Sequence, residues 1–385
     1  MSLRNRVTIL GAGAGGCALA FHMSKVGYEV LLYQDKNHLS NVEEIMETRE
    51  IKAVEMHAGY RSALSGKTRI AHFSTNIKQA CMHSDLLILV VPAFAQTDIF
   101  ESALSYLTPN HIFLSLSGNF AIFDYLDCVR RNAAKINVDS AVAHVADTPV
   151  PCTLVESSII PYACRKIKNN RIFIGAIKQF IFAGAFPPSK TDTAFERLDA
   201  VFERSLSVRL ERVHLLATPF YNSNLILHPT IVMCNSGHIK CQNKGFHFYK
   251  DGVSPLVCKM FEMLDKELLA LGRSVGFNNL ESFTSYYRRY YGDKSVNTTT
   301  LNAFFQGAHF LHFVKAPNDL SGRFISEDLQ YVLMPMVRFL ARRNQVPTPL
   351  ADSIFTSIQC MLGHSIQPLR DLPENEWNAI LSSLS

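Results

Sequence analysis

Apolar and polar positions follow two different rhythms along the chain. In the first half, short apolar runs, "RVTIL", "EVLLY", "DLLILVV" and "HIFLSLS", alternate with amphipathic stretches such as "GCALAFHMSKVG" and "AQTDIFESALSYL". Strands alternating with helices predict βαβ units, hence a doubly wound α/β fold with a parallel sheet covered on both faces. The run "RIFIGAIKQFIFAGAF" adds further strands, and Pro187-Pro188 then breaks the pattern. Beyond it the three- and four-residue spacing of helices takes over. "VCKMFEMLDKELLALGRSVG" ends on Gly276, and "EDLQYVLMPMVRFLARRNQV" carries Pro335 inside its helical pattern, where a kink is expected. The expected organisation is an α/β domain over 1–187 and an all-α domain over 188–385.

A length of 385 residues accommodates two such cores, because single cores rarely exceed roughly 250–300 residues. An apolar fraction of 48% and a charged fraction of 18% are ordinary for a folded protein. The net charge of +5 is scattered in short pairs such as Arg130-Arg131 and Arg342-Arg343, which points to small anionic ligands and away from nucleic acid. Nine cysteines without a CxxC pair read as reduced thiols, so a cytoplasmic setting is expected and no metal. The apolar segments are too short or too interrupted for a membrane span, and no signal peptide is expected ahead of the first strand.

Chemistry enters with Gly11-Ala12-Gly13-Ala14-Gly15-Gly16, a G-x-G-x-x-G between a strand and a helix. Gly11 makes the tight turn, Gly13 lets a pyrophosphate approach the backbone, and Gly16 lets helix and strand pack closely. The helix start supplies unpaired N–H groups and a partial positive charge to the phosphates. A Rossmann-type dinucleotide site follows from this context. Gln34 stands where a ribose-binding carboxylate usually falls, and Asp35 comes one residue later, with Lys36 and His38 behind it. An acid there favours NAD and neutral or basic residues tolerate NADP, so both cofactors stay open with a lean to NADP. Pro92 closes a strand at its carboxyl edge, where ligands of such sheets bind, although a proline that merely ends a strand reads equally well.

Two further stretches bring titratable groups together. In "NSNLILHPTIVMCNSG", His228 lies inside an aliphatic run, four residues after Asn224 and directly before Pro229. Proline disfavours the α conformation in its predecessor, which places His228 at a junction of two helical segments. The expected position is exposed and near a positive helix end, where a lowered pKa would keep the ring neutral and able to accept a proton. In "KAPNDLSGRFISEDLQYVLMP", Arg323, Glu327 and Asp328 surround a helix start capped by Ser326. Arg323 offers a planar fork for a carboxylate and Asp328 an acceptor for an imidazole N–H. A satisfied core histidine and a solvated helix start are the structural alternatives for these two stretches.

In the order they occur, the glycine turn, "IIPYACR" with "IFIGAIK", "NLILHPTIVMCNSG", "FHFYKDG" with "MLDKELLALGRSVG", and "GRFISEDLQYVLMPMVRFLARRNQVPTP" make the chain resemble the octopine/nopaline (opine) dehydrogenases over nearly its whole length. The resemblance implies NAD(P)H-dependent reductive condensation of an α-keto acid with an amino acid. It implies His228 as catalytic acid/base, Asp328 as its orienting partner, Arg323 as the ligand of a substrate carboxylate and Asn224 as a further substrate contact. The helical domain would then close over the cofactor. A monomer or homodimer binding only small molecules is expected. "SLSGNF" departs from the family's glycine-rich turn and puts the contacts of Asn119 in doubt. A dehydrogenase of hydroxy acids or polyol phosphates, with Lys244, Lys259 or Lys315 as base, is the second enzymatic reading, and a non-catalytic redox sensor the third. Tyr286, Tyr287, Tyr290 and Tyr291 form an aromatic cluster that suits core, surface or pocket.

Overall fold

The computed structural model describes residues 5–55, 62–136, 150–241, 246–292, 300–317, 320 and 322–383. The chain divides into two compact units, Met1–Thr218 with Pro373–Ser385, and Pro219–Leu372. The first unit begins with β1 (Arg6–Leu10), α1 (Ala14–Lys25), β2 (Glu29–Tyr33), α2 (Glu43–Thr48), β3 (Glu50–Ala53), β4 (Gly66–Arg69) and β5 (His72–Ser74). It continues through α3 (Ile77–His83), β6 (Leu86–Leu89), α4 (Ala93–Ala103), β7 (Ile112–Ser115), α5 (Ala121–Ile136) and β8 (Thr153–Ser157). Then follow β9 (Tyr162–Lys168), β10 (Arg171–Ile177), β11 (Phe180–Phe186), α6 (Thr191–Leu206) and β12 (Arg209–Arg212).

The principal sheet has the order β12-β11-β8-β7-β6-β1-β2-β5. All its neighbours run parallel except β8 and β11. Its central strands β6, β7 and β8 are buried at every position and β1 at all but its first, which is why β1, β6 and β7 read as apolar runs without alternation. A smaller sheet, β4-β3-β10-β9, accompanies it.

The apolar run at 171–186 divides between the two sheets: β10 joins the smaller and β11 the larger, with the chain turning at Lys178-Gln179. The expected boundary at 187/188 falls inside the first unit. Pro187-Pro188 only opens the crossover, because α6 packs Phe195, Leu198 and Phe202 inward and returns the chain to β12, parallel to β11. That edge strand reads "RLER" with Leu210 alone fully buried, so it carried no apolar signal. The last helix, α14 (Glu374–Ser383), also belongs to the first unit: Trp377 stacks on Phe123 and Glu376 pairs with Arg130.

The second unit is helical: α7 (Asn224–Cys241), α8 (Pro255–Ser274), α9 (Phe283–Tyr290), α10 (Leu301–Gly307), α11 (Arg323–Ser326), α12 (Met334–Asn344) and α13 (Pro349–Leu362). Ser254 caps α8, its hydroxyl accepting from Val257 N–H at 3.3 Å, with Pro255 at the first turn. The pattern around Pro335 resolves into α11, a π-helical turn over Asp328–Leu333, and α12. Pro335 sits in the first turn of α12, where its missing N–H is tolerated. No helix of the described residues is long and apolar enough to cross a membrane.

Candidate active site

The glycine turn has the geometry a dinucleotide needs. Gly11 adopts φ +111, and a Cβ there would meet the Val90 carbonyl and the Val91 side chain, each at 2.6 Å. At Gly16 a Cβ would lie 1.8 Å from the Gly11 oxygen. At Gly13 it would meet nothing within 4 Å, so that glycine keeps open the space a pyrophosphate would take. Ala14 starts α1, whose first turn carries no acidic residue. Pro92 lies beyond β6 and immediately before α4, at the carboxyl edge of the sheet. The residues present thus fit a dinucleotide.

Gln34 turns inward: its amide oxygen accepts from the Ala12 N–H at 2.7 Å. Asp35 instead accepts from Asn37 N–H at 2.8 Å and opens a short turn. Sequence reasoning missed Lys166, which reaches from β9 to donate to the Ala12 carbonyl at 2.8 Å. Nothing in "YACRKIK" announces that contact, because the strand pairing that creates it is long-range. At the same edge, Ser117, Asn119 and Phe120 all have left-handed φ angles of 58 to 68°. Glu156 holds this strained turn by accepting from Phe120 N–H at 3.1 Å and Ile122 N–H at 2.6 Å. Asn119 itself is buried.

His228 corrects the sequence reading. The helix α7 continues through Pro229 and departs from helical angles only at Asn235 (φ −123, ψ 15). His228 is 6% exposed, flanked along the helix by fully enclosed Leu225, Ile226, Leu227, Ile231 and Val232. With apolar side chains on every face of its first turns, the helix is buried from Leu225 to Val232 and takes the imidazole with it. The residue is therefore neither at a junction nor exposed.

What satisfies the buried ring is specific. Nδ1 lies 2.7 Å from Oδ2 of Asp328, and Nε2 lies 2.8 Å from the hydroxyl of Tyr249. Asp328 opens the π-helical turn and is itself buried; such turns recur at functional sites because they displace one residue from regular packing. Burial pushes the Tyr249 phenol far above its ordinary pKa, with Tyr291 and Asp328 adding to it. The phenol is therefore a neutral O–H that donates to Nε2, which places the imidazole proton on Nδ1, facing the carboxylate. Phe324 covers the imidazole at 4.0 Å between ring centroids, and Phe248 meets it edge-on.

Tyr249 lies in "FHFYKDG", a stretch whose tyrosine no spacing rule singles out. The tyrosine cluster explains its placement. Tyr286, Tyr287 and Tyr290 are core residues; Tyr287 stacks on Phe305, and Phe305 stacks on Tyr249. Arg323 is two-thirds exposed at the head of α11, and its Nε and Nη2 donate to one oxygen of buried Glu327 at 2.6 and 2.5 Å. Asn224 is half-buried one helical turn before His228. Of the alternative bases, Lys259 and Lys315 are exposed and Lys244 lies outside the described residues.

Comparison with known proteins covers both units. Residues 211–362 match the NAD/NADP octopine/nopaline dehydrogenase alpha-helical domain, and residues 6–121 match the N-terminus of NAD-dependent glycerol-3-phosphate dehydrogenase. An opine dehydrogenase of Arthrobacter sp. (strain 1C) is 24% identical over 92% of this chain and 90% of its own. A tauropine dehydrogenase of Arabella iricolor is 24% identical over 83% and 81%. The solved structure of octopine dehydrogenase with NADH and L-arginine shares the fold at a TM-score of 0.68 and 16% identity, over 93% of this chain and 89% of that one. Yersinopine dehydrogenase with NADP+ bound shares it at 0.59 and 17%, over 99% of both. The helical unit thus matches the octopine/nopaline (opine) dehydrogenase family's own domain, and curated opine and tauropine dehydrogenases align with this chain over more than four-fifths of its length.

Proposed function

We propose that the chain is an NAD(P)H-dependent opine dehydrogenase that joins the amino group of an amino acid to the carbonyl carbon of an α-keto acid. The observation that carries this reading is the buried His228–Asp328 pair, 2.7 Å apart, in the unit that matches the family's helical domain. Bound NAD(P)H supplies the hydride that turns the imine into a secondary amine. The glycine turn and the start of α1 hold its phosphates.

His228 acts through Nε2. It takes a proton from the ammonium of the amino acid, which frees the nitrogen lone pair to attack the keto carbon. The added nitrogen passes a second proton to the former carbonyl oxygen, and His228 returns the first to the resulting hydroxyl, so that oxygen leaves as water and a protonated imine remains. Asp328 holds the Nδ1 proton and stabilises the imidazolium formed between these steps. Tyr249 keeps the Nε2 lone pair occupied until the substrate amine takes its place. Arg323, steadied by Glu327, pairs with a substrate carboxylate through its guanidinium fork, and Asn224 offers its amide from the same helix as His228.

NADPH is accepted at least as well as NADH. Gln34 brings no charge to the ribose side of the turn, and Lys166 brings a positive one to the same residue, Ala12. The test of the function is a panel of amino acids against pyruvate and 2-oxoglutarate, with NADH and NADPH oxidation followed separately. Oxidation that needs both organic substrates supports the reading. Equal oxidation with the keto acid alone contradicts it.

A further inference from the structure

Glu29 opens β2, His72 opens β5 and His83 ends α3, so three elements of the first unit deliver one carboxylate and two imidazoles to one place. One ring nitrogen of each histidine and a carboxylate oxygen of Glu29 all lie within 4.8 Å of one another. Their positions, 29, 72 and 83, follow no ligand motif, so no spacing along the chain announces them. We propose that this cluster is a binding site for one zinc ion.

The ligand geometry favours zinc. Tetrahedral zinc with bonds of about 2.0–2.2 Å to nitrogen and oxygen sets its ligand atoms roughly 3.3–3.5 Å apart. His72 Nε2 and Glu29 Oε1 are 3.3 Å apart. The two imidazoles meet edge-to-face with ring centroids at 5.2 Å, close enough for both to face one ion after a small side-chain adjustment. Two imidazoles and a carboxylate are a donor set that suits zinc, and three protein ligands leave the fourth position to water.

The surroundings have the form that metal ligands require. Arg6 Nε donates to the other carboxylate oxygen, Oε2, at 3.3 Å, so Oε1 is the oxygen turned to His72. His83 Nε2 lies 3.0 Å from the backbone carbonyl of Glu29. An imidazole N–H donated to a carbonyl fixes the tautomer with a lone pair on the other nitrogen, and ligating carboxylates are themselves hydrogen-bonded. The side chain of His72 is half-exposed, which gives the ion a path from solvent.

The site sits at the amino ends of β2 and β5, whereas Gln34 follows the carboxyl end of β2. Zinc here ties the edge strand β5 and helix α3 to β2 without touching the cofactor turn. Binding should raise the melting temperature and leave NADPH affinity unchanged.

The experiment is a titration of the purified full-length protein with Zn2+ alone, read by calorimetry and by melting temperature, on the wild type and three variants. One equivalent should bind the wild type. His72→Ala and His83→Ala should abolish it, and Arg6→Met should weaken it by about 10–100-fold, the usual effect of removing a group that supports a ligand. His72 is exposed, so its loss should not impair folding, and unchanged NADPH binding verifies that. No saturable equivalent in the wild type overturns the proposal. So does an equivalent that survives His72→Ala, which would place zinc elsewhere, for example at exposed Cys234 or Cys360.

Discussion

Replacing Asp328 by Asn probes the dyad with the least change in shape. In the wild type the carboxylate accepts the Nδ1 proton at 2.7 Å, and both residues are over nine-tenths buried. Hydrogen bonds to charged groups are worth about 1.5–3 kcal/mol. At roughly 1.4 kcal/mol per decade, kcat should fall about 10- to 150-fold. The asparagine amide can also present its NH2 to Nδ1, which moves the imidazole proton to Nε2 and blocks the nitrogen that must accept. His228→Gln, which keeps a donor for Asp328 and spares the fold an orphaned buried carboxylate, should cut kcat by about 10²–10⁴-fold. The double variant should be little slower than His228→Gln, because a missing imidazole cannot be misoriented. Steady-state kcat at saturating substrates, NADPH dissociation constants and melting temperatures of all four proteins form the assay. If the two losses multiply, or if NADPH binding falls in parallel with kcat, the two residues do not work as a pair.

Gly13→Val should abolish cofactor binding at unchanged melting temperature, whereas Gly16→Val should cost both, since only the second Cβ strikes the turn itself; NADPH titration with thermal melts checks this, and wild-type NADPH affinity in Gly13→Val would refute it. Lys166→Met should raise the NADPH dissociation constant about tenfold or more, the value of a charge-assisted bond, with a much smaller effect on NADH; equal losses would assign the lysine to the turn's structure. Arg323→Lys keeps the charge and loses the fork, so KM for one organic substrate should rise at near-constant kcat; unchanged KM values with a lower melting temperature would make Arg323 structural. Tyr249→Phe removes a neutral hydrogen bond worth about 0.5–1.5 kcal/mol, so kcat should change by no more than roughly tenfold while folding persists; a loss as large as that of His228→Gln would make Tyr249 the proton donor.

The legible parts of the sequence were those whose signal is local. Strands β1, β2, β6 and β7 are buried along almost their whole length and read as apolar runs, and the glycine turn is contiguous. The edge strand β12 was not legible, because an edge strand needs only one buried side chain and the rest of "RLER" is charged. The domain boundary moved with it. The pairing of His228 with Asp328 was anticipated through the family motifs, and the structure brings them together across 100 residues. The setting of His228 was misjudged because the rule for residues before proline speaks to the local backbone, whereas burial is decided by the aliphatic faces around it. Tyr249 and Lys166 escaped notice since each is placed by tertiary packing, one through the Phe305–Tyr287 stack and the other through the pairing of β9 with β10.

The most direct measurement is the identity of the product formed with deuterium-labelled nicotinamide cofactor. The enzyme is incubated with an active pair from the substrate panel and NADPH carrying deuterium at the transferable position, and the product is analysed by mass spectrometry. The account predicts a secondary amine that contains both carbon skeletons, has lost the keto oxygen as water, and carries one deuterium on the former keto carbon. His228→Gln should form the same product far more slowly. A deuterated 2-hydroxy acid, formed at the same rate whether or not the amino acid is present, would contradict the account.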